Sequence, residues 1–316
     1  MAHPSIGAQA SRLARDLPVG ISTASARIPK LVYGTAWKKD RTADLVYLAL
    51  KTGFRAIDTA AQPKHYDERG VGAAVKRATG EGIIKREDLF IQTKFTSPTG
   101  QNHITPYDLD APLASQVHQS VQSSLENFTV GGGQEAYLDS LVLHSPMDTM
   151  QETIAVWKTL ETYTPHKIRH LGISNTTLPI LETLCNDMTV KPAVVQNRFH
   201  NRTGYETELR AFCREQKIVF QSFWTLTANR HLIQCSPVRM VAQKAGVGAA
   251  VAYYSMVLGL EGTAILDGTT SQEHMTEDLQ GIEAVGIWAE GEGASDWASA
   301  LRSFRELIGE SQASEH

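Results

Sequence analysis

The sequence predicts a single (β/α)8 TIM barrel of the α/β class, on three observations. Eight short apolar runs alternate with segments whose apolar residues recur at helical spacing. No linker or shift of composition divides residues 31–285. The chain has 316 residues, enough for a barrel built as one domain that buries most of its apolar surface without staples. Strands separated by crossover helices run parallel, and eight such units favour a closed barrel over an open sheet.

The elements follow in order. Residues 31–35 form the first strand, and Ala43, Val46, Tyr47 and Leu50 share the face of the first helix, which Gly53 stops. The second strand is 54–58, followed by Val71, Ala74 and Val75 at helical spacing. The third is 89–94, with Val117, Val121 and Leu125 on its helix. The fourth is 138–144, with Ile154, Trp157 and Leu160. The fifth is 168–174, with Leu178, Leu181 and Leu184. The sixth is 193–196 and the seventh 218–223, separated by a helix over 205–215. Two helices, near 238–244 and 248–258, lead to the eighth strand at 264–267 and a last main helix over 272–282. The glycine-rich stretches 131–133 and 290–293 read as surface loops. Residues 1–30 read as a loose arm or as a cap on the barrel bottom, and 286–316 as a tail packing on or near the barrel. In that tail Trp288 and Trp297 either line the pocket or pack a terminal helix.

Bulk properties exclude several function classes. A net charge of −4 with no basic stripe argues against a nucleic-acid partner. No apolar run reaches the ~18 residues of a membrane span, and no apolar leader segment is evident. Asp16 interrupts the basic face that Arg12, Arg15 and Arg27 would give a transit peptide. Cys185, Cys213 and Cys235 form no C-x-x-C and suggest reduced thiols in a cytoplasmic protein. No metal is expected.

In a barrel of this kind catalytic groups gather at the C-terminal strand ends. The second run ends in Asp58, the third in Lys94, the fourth in His144, the fifth in Ser174 and Asn175, the sixth in Gln196 and the seventh in Phe223. One strand-end aspartate is explained as a helix cap. Six consecutive strands placing polar or aromatic groups on one rim are not.

Residues 53–60 (G-F-R-A-I-D-T-A), the string L-V-L-H-S-P around His144 and L-G-I-S-N ending in Ser174 and Asn175 resemble, in order and spacing, the aldo-keto reductase family over about residues 31–282. The resemblance implies an NAD(P)H-dependent oxidoreductase that reduces an aldehyde or ketone to an alcohol. Tyr66 would be the proton donor, Lys94 would lower its pKa, Asp58 would orient Lys94, and His144 would bond the substrate oxygen. Family members carry the tyrosine sooner after the aspartate. Here position 63 is Pro and the next tyrosine is Tyr66, so a short insertion is inferred. Trp37 and His65 are candidate substrate contacts, with a solvated loop the equal alternative for His65.

The same resemblance assigns the cofactor. Ser174, Asn175 and Gln196 would hold the nicotinamide amide, Phe223 would stack on its ring, and the loop 224–228, with Trp224, Leu226 and Thr227, would cradle the pyrophosphate. Trp224 and Thr225 replace the family's usual Ser-Pro. At the adenine end the family's NADPH users carry a Lys and an Arg where this chain has Gly268 and His274. Thr269, Thr270 and Glu277 remain, and Asp278 stands where an Asn often reads the adenine. Charge-assisted contacts of the missing kind are worth about 1.5–3 kcal/mol each. The resemblance thus implies NADPH as cofactor, with a preference weaker than usual and NADH possible, a small carbonyl compound as partner, and a monomer or weak homo-oligomer. No G-x-G-x-x-G follows a strand, so a Rossmann site is not supported. Two other readings stand beside this one: a nucleotide-binding sensor or regulatory barrel, and a barrel recruited to non-redox natural-product chemistry.

Overall fold

In the computed structural model, which describes residues 11–19, 26–130 and 135–310, the chain opens with a two-stranded antiparallel hairpin, β1 (Leu17–Pro18) and β2 (Arg27–Ile28). Strand and helix then alternate through β3 (Leu31–Gly34), α1 (Thr42–Thr52), β4 (Ala56–Asp58), α2 (Glu68–Gly80), β5 (Phe90–Phe95) and α3 (Leu113–Asn127). The alternation continues through β6 (Leu138–Leu143), α4 (Met150–Glu161), β7 (Ile168–Ser174), α5 (Leu178–Asp187), β8 (Val194–Arg198), α6 (Thr207–Glu215) and β9 (Val219–Phe223). Three helices, α7 (Arg230–Ile233), α8 (Ser236–Ala245) and α9 (Ala249–Leu258), precede β10 (Thr263–Asp267), which is followed by α10 (Gln272–Glu290) and α11 (Ala294–Leu307). Strands β3 to β10 pair in parallel throughout and close when β10 pairs with β3. The predicted (β/α)8 barrel is the fold.

Burial on both faces explains the strand sequences. All six residues of β5 are buried. Ile91 and Phe95 face the surrounding helices as part of the large apolar core, while Phe90, Gln92 and Lys94 turn into the barrel. At the bottom of the barrel Val32, Ala56, Phe90, Ala193, Val219 and Ala264 make a separate apolar layer, and Val19 and Ile28 of the hairpin region pack onto it. The hairpin therefore covers the N-terminal mouth. The remainder of the predicted arm, residues 1–10 and 20–25, the loop 131–134 and the last residues 311–316 lie outside the described residues.

The last main helix runs to Glu290, beyond the expected 282, because Val285 and Gly286 carry its buried stripe onward. Gly286 admits the Ser11 side chain, with which any Cβ there would collide. Residues 291–293 turn the chain into α11, whose Ala300 and Phe304 are buried. Trp297 packs against Gly259 at the end of α9 and Trp288 against Gly293, so both tryptophans serve helix packing. Cys213 is buried and Cys185 and Cys235 are half-buried, all three as free thiols.

Helix α2 must approach α3 closely, and Gly72 is the reason it can. A Cβ at Gly72 would collide with the Asn127 carbonyl, which is backbone and cannot swing aside. Gly72→Ala is expected to destabilise the protein by about 1–3 kcal/mol through overpacking. Denaturant midpoints for the two proteins test this; coincident curves would show that α2 and α3 separate freely.

Candidate active site

Strand β4 ends in Asp58 and β5 carries Lys94, and their inward parity brings the two side chains together. Lys94 Nζ lies 2.6 Å from Asp58 Oδ2 and donates also to the Thr59 carbonyl at 2.8 Å. Asp58 Oδ1 accepts from Gln92 Nε2 at 2.7 Å and Gln196 Nε2 at 2.9 Å. Both glutamines also donate to Gln221 Oε1, at 2.7 and 2.8 Å. Every partner is buried. The carboxylate is thus saturated, and burial lowers the Lys94 pKa against the pull of Asp58.

Tyr66 comes from the loop that joins β4 to α2. The Gln62 carbonyl accepts from the amides of His65 and Tyr66, both at 3.0 Å, closing a turn over Pro63. Gln62 Nε2 ties the turn to the Gly100 carbonyl at 2.7 Å. Asp67 then caps α2 by accepting from the Gly70 amide at 2.9 Å. Glu68, buried, accepts from Thr93, from Ser124 at 2.9 Å and from Asn127 at 2.9 Å. These bonds fix the start of α2 against β5, one residue from Lys94. Tyr66 is held with its ring centroid 5.2 Å from Lys94 Nζ and 5.9 Å from the His144 ring.

The pKa expected of Tyr66 needs correction. Burial, and then the charge of Asp58, push its phenol well above the ordinary tyrosine value. No lowering by Lys94 offsets this, because the carboxylate expected to orient that ammonium, Asp58 at 2.6 Å, also matches its charge. Tyr66 is a firmly protonated phenol.

His144 follows β6 directly, its amide bonded to the Phe95 carbonyl at 2.9 Å. Burial, with the charges of Lys94 and His65, depresses its imidazole to about 3, so it is neutral near pH 7. Thr96 Oγ1 lies 2.6 Å from Nδ1 and fixes the ring. Beside this group, Trp37 and His65 stack with centroids 3.9 Å apart, and the exposed Trp37 takes a φ of 65°.

Further along the same rim Ser174 Oγ donates to the Gln196 carbonyl at 2.6 Å, and Asn175 Nδ2 donates to the His144 carbonyl at 2.9 Å. Asn175 itself is exposed, with φ 52°. Gln196 points into the barrel network rather than along the rim. Phe223 is half-buried and Trp224 exposed, with the Arg198 guanidinium 4.3 Å from the Trp224 ring. In the loop beyond, half-buried Leu226 and exposed Thr227 lie in a turn whose Ala228 amide bonds the Trp224 carbonyl at 3.0 Å.

After β10, Gly268 and Thr270 are exposed, and Thr269 donates its amide to Asp267 Oδ1 at 3.0 Å. His274 donates its amide to Ser271, and its side chain, like that of Glu277, is exposed. Asp278 is buried instead, withdrawn beside Asp267.

Sequence reasoning missed Gln92, Gln221, Glu68, Thr96 and Arg198. The first four are polar residues that end no apolar run. Arg198 had a signal, a cation just past a strand end.

A sequence profile of the Aldo/keto reductase family matches residues 30–229. The glyoxal reductase of Bacillus subtilis is 33% identical over 207 residues, 65% of this chain and 65% of that protein. The NAD(P)H-dependent D-xylose reductase of Scheffersomyces stipitis is 30% identical over 200 residues, 55% of this chain and 57% of that protein. The chain thus spans 65% and 57% of the length of these curated relatives. An aldo/keto reductase structure from Brucella melitensis has a TM-score of 0.70 at 22% identity, covering 90% of this chain and 98% of that one. A silkworm aldo-keto reductase complexed with NADPH has a TM-score of 0.70 at 20% identity, covering 91% of this chain and 87% of that one. At such identities the two structures speak to the fold alone.

Burial and the neighbouring Asp267 carboxylate push Asp278 up to about 8. A carboxyl whose folded pKa exceeds its unfolded value of 3.8 stabilises most at low pH, and that contribution is lost as pH rises toward 8. Asp278→Asn removes the loss. Its melting temperature relative to wild type is expected to rise between pH 5 and pH 8, on the order of 2–4 °C for each kcal/mol relieved. A difference that is flat with pH would place Asp278 in contact with solvent.

Proposed function

The chain belongs to the aldo/keto reductase family, whose profile spans residues 30–229, and from that premise we propose that it reduces the carbonyl group of an aldehyde or ketone to an alcohol with NADPH, Tyr66 giving the proton. One observation carries the reading. Tyr66, His144 and the Asp58-paired Lys94 converge at the C-terminal mouth of one barrel, Lys94 Nζ 5.2 Å and the His144 ring centroid 5.9 Å from the Tyr66 ring centroid.

The rim suits a nicotinamide dinucleotide. The exposed Asn175 amide and the half-buried Phe223 ring offer polar and aromatic contacts to a flat heterocycle. Ser174 and Asn175 would bind its amide, with Gln196 supporting them from below, since its own amide is engaged by Asp58 and Gln221. When bound, the reduced nicotinamide supplies a hydride to the carbonyl carbon.

This chain's residues do the rest. His144 stays neutral, and in the tautomer in which Thr96 donates to Nδ1 its Nε2 carries the hydrogen that bonds the substrate oxygen. As the carbonyl carbon gains the hydride, its oxygen becomes an alkoxide, a base strong enough to take the Tyr66 proton. The phenolate left behind faces the Lys94 ammonium, and Asp58 keeps Lys94 in place. The Trp37–His65 stack stands at the rim as a substrate contact.

Wild-type protein is expected to oxidise NADPH when given simple aromatic aldehydes, because small substrates escape the selection imposed by loops. Tyr66→Phe is expected to keep its affinity for NADPH and to lose kcat by about 10²–10⁴-fold. Nicotinamide absorbance under steady state and a fluorescence titration measure the two quantities. Tight NADPH binding without turnover across a broad aldehyde panel would favour a sensor, and an active Tyr66→Phe would give the proton to another group.

A further inference from the structure

Tyr66 lies on the irregular stretch between β4 and α2, and His144 on the first residue after β6. Both must aim at one oxygen. The turn that carries Tyr66 has Pro63 and Lys64 exposed, so it is held from its other side. The Ala61 amide donates to the Lys94 carbonyl at 3.1 Å, and the Ala61 carbonyl accepts from Gln101 Nε2 at 2.9 Å. Gln62 Nε2 in turn donates to the Gly100 carbonyl at 2.7 Å. Each glutamine thus bonds the main chain beside the other, and both are buried.

Gln101 is aimed by a single 3-10 turn, Pro98–Gly100, its amide bonded to the Pro98 carbonyl at 3.1 Å. The same loop reaches the support of His144. Thr96, whose Oγ1 lies 2.6 Å from His144 Nδ1, has its carbonyl bonded by the Tyr107 hydroxyl at 2.6 Å and by Gln101 Nε2 at 3.4 Å. A Cβ at Gly100 would lie 2.6 Å from Thr96 Cγ2, so Gly100 leaves the Thr96 side chain the room in which it meets His144. One side-chain amide therefore bonds both the turn of Tyr66 and the residue that props His144. Its own Oε1 is buried with no hydrogen-bond partner among the described residues. An unpaired buried acceptor costs stability, so folding alone does not account for this side chain.

We propose that Gln101 is a positioning residue for carbonyl reduction, holding the turn of Tyr66 and the Thr96 prop of His144 in one fixed arrangement so that both donors meet the same oxygen. The proposal rests on the roles assigned to Tyr66 and His144 above. Gln101 acts through those two groups and touches neither substrate nor cofactor. Misplacing a reacting group by about 1 Å costs on the order of 10²-fold in rate.

The test follows NADPH oxidation with an aromatic aldehyde in wild type and in Gln101→Met, which keeps the length of the side chain and removes its donor. kcat is expected to fall about tenfold to a hundredfold, while the aldehyde KM and the NADPH Kd stay within about twofold. Added to Tyr66→Phe, the same substitution is expected to lower the residual rate by about threefold or less, because one of the groups it aims is gone. If Gln101→Met does not fold, Gly100→Ala carries the test. It presses on Thr96 and is expected to lower kcat about fivefold to twentyfold, but less than about twofold in a Thr96→Ser background, which lacks the crowded methyl. An unchanged kcat in Gln101→Met would overturn the proposal, and so would a raised KM at unchanged kcat, which would make Gln101 a substrate contact. Equal losses with and without the Tyr66 hydroxyl, or with and without the Thr96 methyl, would overturn it by reducing the contact to general structure. Each of these results leaves the reductase reading standing, whereas wild type that turns over no aldehyde overturns that reading and the proposal together.

Discussion

An ammonium and a carboxylate 2.6 Å apart inside the barrel, Lys94 and Asp58, set the terms for everything around them. Withdrawing such a pair from water costs several kcal/mol per ion, which attraction alone rarely offsets. Here the remaining bonding capacity is met. Two glutamine amides reach the free carboxylate oxygen and the Thr59 carbonyl takes a second ammonium hydrogen. The network draws side chains from β4, β5, β8 and β9 into one cluster, so the charge pair is also a cross-brace of the barrel. Removing one partner alone would strand a buried charge at about 3–5 kcal/mol.

With that charge matched, the groups above it respond mainly to burial. Burial raises a phenol and lowers an imidazole, and so it drives Tyr66 and His144 from opposite sides to the same neutral condition. Each then has a hydrogen to offer to an oxygen that is becoming negative. Their aim depends on residues that touch no substrate. Glu68 anchors the helix that follows Tyr66, and Thr96 fixes the ring of His144.

The barrel was legible because its beat is local: each strand and helix announces itself within a dozen residues. Asp58, Lys94 and His144 were legible for a related reason, since a polar residue closing an apolar run is visible without knowing its partners. Gln92 and Gln221 were not, because their meaning lies in a bond spanning 129 positions. The phenol of Tyr66 was misjudged because its burial, the largest influence on it, is a property of the closed barrel and not of the sequence. Helix α10 outran its expected end at 282, and Gly281 and Gly286 are what let it lie close to its neighbours. They are where Val251 and Ser11 press against the helix.

Val19 and Ile28 pack across the N-terminal end of the barrel, on the apolar layer beneath the ion pair. The base of the barrel is thereby dry, which leaves the charge pair above it in a medium that screens it weakly and directs its field toward the mouth where Tyr66 and His144 stand.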